Sequence, residues 1–265
     1  MKAKKHSQLI QKEKTMKKKL LLVSITFNIL FLLLGGYVIH KKGDIDHLRR
    51  KFNTQKENIQ KENVNQNDSR SLTTRRSQYY NAKKSIFEIM PNDTNEIIFL
   101  GNSITERCDW HELFGKSNIK NRGIGGDIIN GVINRLEEVV DSKPQKIFLM
   151  IGTNDLGRGN NVDEILSNYR RLVKLILTKT PATELYLQSL LPTKDNPNRK
   201  NIDIIEINKG ILQIAKSHSL TYVNLFDLLK TNDNELNIKF SYDGLHINGK
   251  GYLIWKNEII KYMDK

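Results

Sequence analysis

The chain has 265 residues, of which 38% are hydrophobic, so it can bury a sizeable core and is not a wholly disordered protein. A single cysteine, Cys108, excludes an internal disulfide framework and a four-cysteine zinc site. Of the net charge of +14, residues 1–19 carry +7 and residues 41–90 carry +6, which leaves +1 for residues 91–265. This distribution argues against a nucleic acid partner, because a nucleic-acid-binding domain normally has a basic face of its own.

Residues 20–39 form an apolar run of 20 residues without a formal charge. As a helix rising about 1.5 Å per residue, the run would span the roughly 30 Å hydrocarbon core of a bilayer. Eight lysines precede it, whereas five Lys and Arg residues follow closely after it. The positive-inside rule therefore predicts a cytoplasmic N-terminus and an extracytoplasmic remainder, which is periplasmic or extracellular.

The predicted organisation has four parts: a basic tail at 1–19, a single transmembrane anchor at 20–40, a polar stem at 41–78 and a globular domain at 79–265. A cleaved signal peptide is the alternative to a retained anchor, and translation from Met16 would make the leader more signal-like. Signal peptides have a shorter apolar core, about 7–15 residues, followed by a small-x-small cleavage site that the sequence lacks. The stem has too few regularly spaced apolar residues for a coiled coil and is interpreted as a solvated spacer.

Short apolar runs alternate with amphipathic stretches in the globular part. This alternation predicts an α/β fold with a parallel sheet that is covered by helices on both faces. Ligands bind such sheets at the carboxyl ends of the strands, so the segments that directly follow the strands are the candidate functional segments. The strands are predicted at 97–100, 119–121, 147–151, 185–190 and 222–225, and the helices at 129–140, 162–176, 204–214 and 252–259.

Four polar or glycine-rich blocks stand at such positions: GNSIT at 101–105, NRGIGGD at 121–127, GTND at 152–155 and DGLH at 243–246. Acyl transfer through serine needs a nucleophile, a base, a group that orients the base, and donors for the oxyanion. The blocks contain one candidate for each role. Ser103 has the hydroxyl, His246 the imidazole and Asp243 the orienting carboxylate, while Gly126, where a side chain would obstruct the substrate, and Asn154 can donate N–H groups.

In their order and content, the four blocks resemble the SGNH (GDSL-type) hydrolases, in particular the platelet-activating-factor acetylhydrolase and carbohydrate O-acetylesterase branch. The resemblance covers about residues 79–265 and implies a flavodoxin-like three-layer α/β/α fold. It also implies Ser103 as the nucleophile and Asp243 with His246 as the base pair. The N–H of Ser103, Gly126 and Asn154 would then form the oxyanion hole. Asn102 stands where many members have Asp, and GNS is a known variant of this block.

The resemblance implies ester hydrolysis through an acyl-enzyme, with neither a cofactor nor a metal. Outside a membrane, the accessible esters are O-acetyl groups on glycans or wall polymers and the acyl esters of lipids. We expect an acetyl ester of a carbohydrate, because the sequence has no long apolar insertion that could cover a lipid. The alternatives are a lysophospholipid substrate, acyl transfer to a sugar, and an inactive membrane-tethered binding module.

The site residues also have structural explanations. A serine after a strand is commonly a helix N-cap, and Gly123, Gly125 and Gly126 could form only a tight turn. The sequence contains neither a dinucleotide-binding motif nor a P-loop motif, so nucleotide binding is not predicted. Asp243 and His246 lack a third ligand at a recognisable spacing, which argues against a metal site.

Six residues near the blocks have weaker signals. Their positions in sequence do not by themselves separate a structural role from a functional one. We expect Asp155 to be structural, His111 to lie on a loop surface, Cys108 to be an inert thiol and Arg158 to be a candidate substrate contact, while Trp110 and Phe114 fit a pocket wall and a core equally well.

Overall fold

A computed structural model describes residues 2–41 and 77–263. The chain divides into two compact units, Met1–Ser71 and Leu72–Lys265. Most of the predicted stem, including its few apolar residues, lies outside the described residues. The predicted stem at 41–78 therefore remains a prediction.

The first unit contains one long helix, α1 (Lys2–Lys41). Its segment Met16–Tyr37 is a candidate membrane span by length and composition, with a mean hydropathy of 2.1, and it includes most of the predicted anchor. A signal sequence near an N-terminus passes the same test. The apolar N-terminal helix is thus confirmed, and its retention as an anchor remains a prediction.

The second unit is built on a sheet of five parallel strands: β1 (Ile97–Gly101), β2 (Ile119–Gly123), β3 (Lys146–Met150), β4 (Glu184–Gln188) and β5 (Thr221–Val223). Their order in the sheet is β2-β1-β3-β4-β5, which is the flavodoxin-like order. Every residue of β1 and β3 is buried, as expected for a sheet covered on both faces. All five predicted strands are confirmed, with boundaries that differ by one or two residues.

Helices connect the strands and flank the sheet. The predicted helices at 162–176, 204–214 and 252–259 are confirmed, and each buries one face of apolar residues. A helix at 77–88, α2, precedes β1. The others are α3 (Ser103–Glu106), α4 (Trp110–Phe114), α5 (Ile129–Asn134), α6 (Glu137–Val140), α7 (Thr153–Gly157), α8 (Val162–Lys179), α9 (Asn201–Ser217), α10 (Phe226–Leu229) and α11 (Gly249–Ile259), with 3₁₀ turns at Ile238–Phe240 and Ile260–Tyr262.

The single helix predicted at 129–140 is wrong, because the chain leaves the helix after α5 and forms the separate turn α6. Arg135 lies at this break and is only 1% exposed. Its guanidinium donates to the Asp127 and Glu138 carboxylates and to the carbonyl oxygens of Gly101 and Arg122. A buried guanidinium needs these partners, and the break in the helix is what brings it to them.

The aromatic residues that follow Ser103 belong mainly to the core. Trp110 is fully buried, stacks on Phe99 of β1 at 4.0 Å between ring centroids, and meets Trp255 of α11 edge-on at 4.8 Å. Phe114 packs partly buried against the same cluster. Trp110 and Phe114 therefore belong to the core and not to a pocket wall, and this part of the core joins α4, the sheet and α11.

Candidate active site

Ser103 is the first residue of α3, directly beyond the carboxyl end of β1. Asn102 caps this helix, with its side-chain oxygen accepting the N–H of Ile104 at 3.0 Å. The cap therefore belongs to Asn102, and the Ser103 hydroxyl has a different partner. Its Oγ lies 2.9 Å from Nε2 of His246, a residue 143 positions later in the chain.

His246 and Asp243 lie in a loop between the 3₁₀ turn at Ile238–Phe240 and α11. Asp243 Oδ1 accepts the backbone N–H groups of Leu245 and His246, and its Oδ2 lies 2.6 Å from His246 Nδ1. Ser241 Oγ donates to the His246 carbonyl at 2.7 Å, which braces the same loop. When Nδ1 donates its proton to Asp243, Nε2 is the acceptor that faces the Ser103 hydroxyl.

The electrostatics of Asp243 favour its charged form. Burial raises the pKa of this carboxyl, but hydrogen bonds from the His246 ring and from the backbone N–H groups of His246 and Leu245 outweigh burial. The pKa of Asp243 is consequently below its ordinary value. The carboxylate is ionised at neutral pH and can stabilise a protonated imidazole.

Gly126 lies in the turn after β2 with a φ of +78°. This left-handed conformation strains any residue with a Cβ atom. Nothing lies within 4 Å of an ideal Cβ built at this position, so no protein atom would obstruct a side chain there, and the expected obstruction of a substrate stays a prediction. The structure therefore favours glycine at position 126 because of its left-handed backbone and not because a side chain would collide with the protein.

Asn154, in α7 directly after β3, is held at both polar atoms of its amide. Its Nδ2 donates to the carbonyl of Asp127 at 2.9 Å, and its Oδ1 accepts from Arg199 Nη2 at 3.2 Å. Ser103, Gly126, Asn154 and His246 all line one cleft of about 610 Å³. The structure therefore brings the four predicted site positions together, with Asp243 behind the imidazole.

A buried ionic cluster supports the turn that contains Gly126. Asp127 pairs with Arg135 at 2.9 Å, and Glu138 bridges Arg135 and Arg122 at 3.0 Å each. Arg135 also donates to the carbonyl of Gly101, the last residue of β1. The cluster thus ties the turn after β2 to the strand that carries Ser103.

Asp155 has the structural role expected for it. It is 2% exposed, and both carboxylate oxygens lie within 3.3 Å of the Ile129 N–H at the start of α5. Burial raises its pKa to about 6, although the backbone hydrogen bonds act in the opposite direction. The Asp155 carboxylate therefore links the segment after β2 to the segment after β3. Because its pKa is raised, the free energy of burying this carboxylate depends on pH.

The cleft is also lined by residues that the sequence did not single out. Arg107, Arg199, Asn198 and Tyr79 contribute to its wall together with Arg158, the candidate substrate contact. Each stands alone in a loop or helix without a motif, so only its position in space could reveal it. A second cavity of about 470 Å³ shares Arg158 and the Gly126 turn and extends towards α2.

Other candidate groups lie outside the cleft. Cys108 is buried, and burial raises the pKa of its thiol to about 12, in agreement with an unreactive cysteine. His111 is exposed, on α4 and not on a loop as expected. Within residues 2–41 and 77–263, no three His, Cys, Asp or Glu side chains come together as metal ligands.

Comparison with known proteins places the chain in a family. Residues 99–254 match the model of the GDSL-like lipase/acylhydrolase family. The alpha2 subunit of human platelet-activating factor acetylhydrolase IB is 30% identical over 169 residues, which cover 59% of this chain and 71% of that protein.

Two solved structures share the fold at higher coverage. A Streptococcus pneumonia protein whose description refers to platelet activating factor is 28% identical, with a TM-score of 0.66 over 76% of this chain and 98% of that one. A GDSL-like lipase from Bacteroides thetaiotaomicron is 26% identical, with a TM-score of 0.61 over 70% and 97% of the two chains. The chain belongs to the GDSL-like lipase/acylhydrolase family and is an ester-bond hydrolase with the SGNH fold.

Proposed function

We propose that this protein hydrolyses short acyl esters, chiefly acetyl esters of a carbohydrate, through a covalent intermediate on Ser103. One observation carries the proposal: the Ser103 hydroxyl, the His246 imidazole and the Asp243 carboxylate follow one another at 2.9 Å and 2.6 Å. A hydroxyl, an imidazole and a carboxylate in this order are the parts of a Ser-His-Asp triad, which is recognised by geometry and not by chain order.

In the first step, Ser103 Oγ attacks the ester carbonyl while its proton passes to His246 Nε2. The carbonyl oxygen becomes an oxyanion, which the N–H groups of Ser103 and Gly126 and the amide of Asn154 stabilise. Collapse of this intermediate breaks the bond to the alcohol, which leaves with the proton from His246. The product of the step is an acyl ester of Ser103.

In the second step, water replaces the alcohol. His246 takes a proton from the water as its oxygen attacks the acyl carbon, and the same oxyanion donors act again. The acid departs, and the proton returns to Ser103 Oγ. Throughout, the ionised Asp243 holds the imidazole in one tautomer and balances its positive charge.

The lining of the cleft supports a short acyl group and a polar alcohol. Of the described side chains around it, only Leu245 and the ring of Tyr79 offer apolar surface, whereas a long acyl chain needs an extended apolar wall. Asn198 and the arginines are donors suited to hydroxyl-rich groups. The curated relatives, named as acetylhydrolases, also favour acetyl.

We propose further that α1 is retained as a single anchor, with the N-terminus in the cytoplasm and the catalytic domain at 79–265 outside. The candidate span Met16–Tyr37 and the eight lysines before residue 20 support this topology. Sequencing the N-terminus of the membrane-bound protein tests it. A mature chain that begins after residue 37 would instead identify a cleaved signal sequence.

The activity is tested with the full-length protein in a neutral detergent. We expect hydrolysis of p-nitrophenyl acetate and of an acetylated sugar, and covalent labelling of Ser103 by a fluorophosphonate. Ser103→Ala should abolish the labelling and lower kcat about 10⁶-fold, the usual effect of removing a serine nucleophile. The matched control is Ser117→Ala, since Ser117 is exposed and lies outside the cleft.

Hydrolysis that persists in the Ser103→Ala variant would contradict the proposed nucleophile. Absence of both labelling and hydrolysis in the unaltered protein would indicate an inactive binding module. A lysophospholipid cleaved in preference to every acetylated sugar would contradict the proposed carbohydrate substrate.

A further inference from the structure

The cleft around Ser103 has a strongly cationic wall. Arg107, Arg158 and Arg199 line it, and no Asp or Glu is among the described residues that do so. The excess is local, because residues 91–265 as a whole carry a charge of only +1. A concave site lined by one sign of charge concentrates ligands of the opposite sign.

Two of these arginines contact residues of the proposed oxyanion hole. Arg158 Nη2 donates to the carbonyl of Gly126 at 2.8 Å. Arg199 donates to Asn154 Oδ1 at 3.2 Å and to the Thr153 carbonyl at 3.0 Å, and its guanidinium lies against Gly157, where a Cβ atom would be 2.3 Å from Cζ. Their charges therefore adjoin the position of the reacting carbonyl.

Arg107 supplies positive charge from the part of the cleft near the imidazole. Its guanidinium hydrogen-bonds the Tyr242 hydroxyl and lies over the ring of that tyrosine, 5.9 Å from the centroid. The Tyr242 ring in turn lies parallel to the His246 ring, with 6.3 Å between centroids. Arg107 and Arg158 are both exposed and thus accessible to a ligand.

The nearby carboxylates have other partners. Asp127 is buried against Arg135, and Asp155 accepts the Ile129 N–H. Glu106 binds the Tyr79 hydroxyl and pairs with Lys83 at 3.4 Å. In the described part of the chain, no carboxylate oxygen lies within 4 Å of the guanidinium of Arg107 or Arg158. Asp127 and Asp155 act on Arg158 only at longer range, so both arginines can form an ion pair with a ligand.

We infer that the carbohydrate substrate is anionic, with a carboxylate or phosphate close to the acylated hydroxyl, and that Arg107 and Arg158 bind this group. The inference rests on the proposed esterase function of the same cleft. Guanidinium groups bind carboxylates and phosphates through paired hydrogen bonds. An anion beside the ester opposes the negative charge that develops during attack, and the adjoining arginines offset that repulsion. Arg199 acts as a positioning residue for Asn154.

The test uses the full-length protein in a neutral detergent and three acetyl esters that differ in charge: 4-acetoxybenzoate, its neutral methyl ester and 4-acetoxyphenyl phosphate. The quantity compared is kcat/KM for an anionic ester divided by kcat/KM for the neutral one, after each kcat/KM has been divided by the rate constant for hydrolysis of the same ester by hydroxide, because the three leaving groups differ in reactivity. We expect this ratio to exceed one and to fall as salt is added, because salt screens exposed charges. Whichever anionic ester has the larger ratio identifies the preferred anion.

Arg158→Gln and Arg107→Gln should each lower the ratio about tenfold, the effect of losing one charge-assisted hydrogen bond. A ratio cancels any general loss of activity that the substitution causes. Arg158→Lys keeps the charge and should restore part of the ratio. Arg170→Gln is the matched control, since Arg170 is exposed on α8 outside the cleft, and it should leave the ratio unchanged.

A ratio of one or less in the unaltered protein, or a ratio unaffected by both glutamine substitutions, would overturn the inference while leaving the esterase proposal intact. Failure to hydrolyse any of the three esters would instead contradict the esterase proposal. Platelet-activating factor, an acetyl ester whose phosphate lies in a lipid headgroup, is the fourth substrate. A kcat/KM for it above both anionic esters would overturn the assignment to a carbohydrate.

Discussion

Asn154 donates a hydrogen bond of 2.9 Å to the carbonyl of Asp127, joining two turns that are 27 residues apart in the chain. The other end of the same amide accepts from Arg199. Rotating the amide by half a turn would break both bonds, so its N–H groups have a fixed direction. A donor that is oriented before the substrate arrives needs no rearrangement when the oxyanion forms.

Replacing this amide tests the oxyanion hole. We expect Asn154→Ala to lower kcat about 10²–10³-fold, the usual effect of removing one oxyanion donor, with a much smaller change in KM. Asn118→Ala is the control, because it also removes a side-chain amide that donates to a backbone carbonyl, that of Asn95, but lies outside the cleft. Equal kcat values for the two variants would contradict the assigned role.

In the proposed mechanism the carboxylate of Asp243 sets the tautomer of His246, and Asp243→Asn tests this role. The amide can keep an oxygen for the backbone N–H groups of Leu245 and His246, but its NH₂ would face Nδ1 and favour the tautomer with the proton on Nε2. That nitrogen could then no longer accept the Ser103 proton. We expect kcat to fall by about 10⁴, while the protein stays folded with a somewhat smaller free energy of unfolding in urea, because a carboxylate with a lowered pKa contributes stability at neutral pH.

Asp109→Asn is the matched control, as Asp109 is exposed and caps α4 without a side-chain hydrogen bond. Since the pKa of Asp243 lies below its ordinary value of 3.8, the unaltered protein should keep this carboxylate ionised above that pH. A rate loss in Asp243→Asn below tenfold would show that the carboxylate does not orient the base.

Gly126→Ala separates backbone strain from catalysis. A Cβ at a φ of +78° costs roughly 1–2 kcal/mol, and relaxation of that strain would move the N–H that we propose as an oxyanion donor. Gly115→Ala introduces the same kind of strain, at a φ of +65° and with equally open surroundings, at the end of α4. Both variants should lose similar stability, while only Gly126→Ala should lose kcat, by about 10²-fold.

Asp155 predicts a pH dependence of stability. Its pKa is about 6 in the folded protein and near 3.8 in the unfolded chain, so the folded state binds the extra proton between these values. The free energy of unfolding must then decrease as pH rises from about 4 to 6, by about 3 kcal/mol for this group. Above pH 6 the buried ionised carboxylate still lowers the free energy of unfolding, and Asp155→Asn removes this destabilising charge.

The measurement is urea denaturation of both proteins from pH 4 to pH 8. The difference in unfolding free energy between Asp155→Asn and the unaltered protein should grow in favour of the variant up to about pH 6 and then stay constant. Parallel pH profiles would show that Asp155 titrates alike in the folded and unfolded states. A variant less stable at every pH would show that the Ile129 contact requires the carboxylate.

The arrangement of strands and long helices follows from local pattern. A short uninterrupted apolar run such as 97–100, which ends at Gly101, indicates a strand covered on both faces, and the spacing in 162–176 indicates one face of a helix. These patterns depend only on neighbouring residues along the chain, so the secondary structure that they predict is found in the folded protein. The break between α5 and α6 at Arg135 has no such local pattern. It depends on hydrogen bonds from Arg135 to Asp127 and to the Gly101 carbonyl, which belong to other segments of the chain.

The α/β architecture, the apolar N-terminal helix and the polar blocks can be predicted from composition, periodicity and motif, because these are properties of the chain in order. Which groups meet depends on the folded chain: Ser103 and His246 lie 2.9 Å apart across 143 residues, and Arg107, Arg158 and Arg199 reach the same cleft from separate segments. Hydrogen bonding, burial and local charge depend on distances in space, and the fold alone sets those distances.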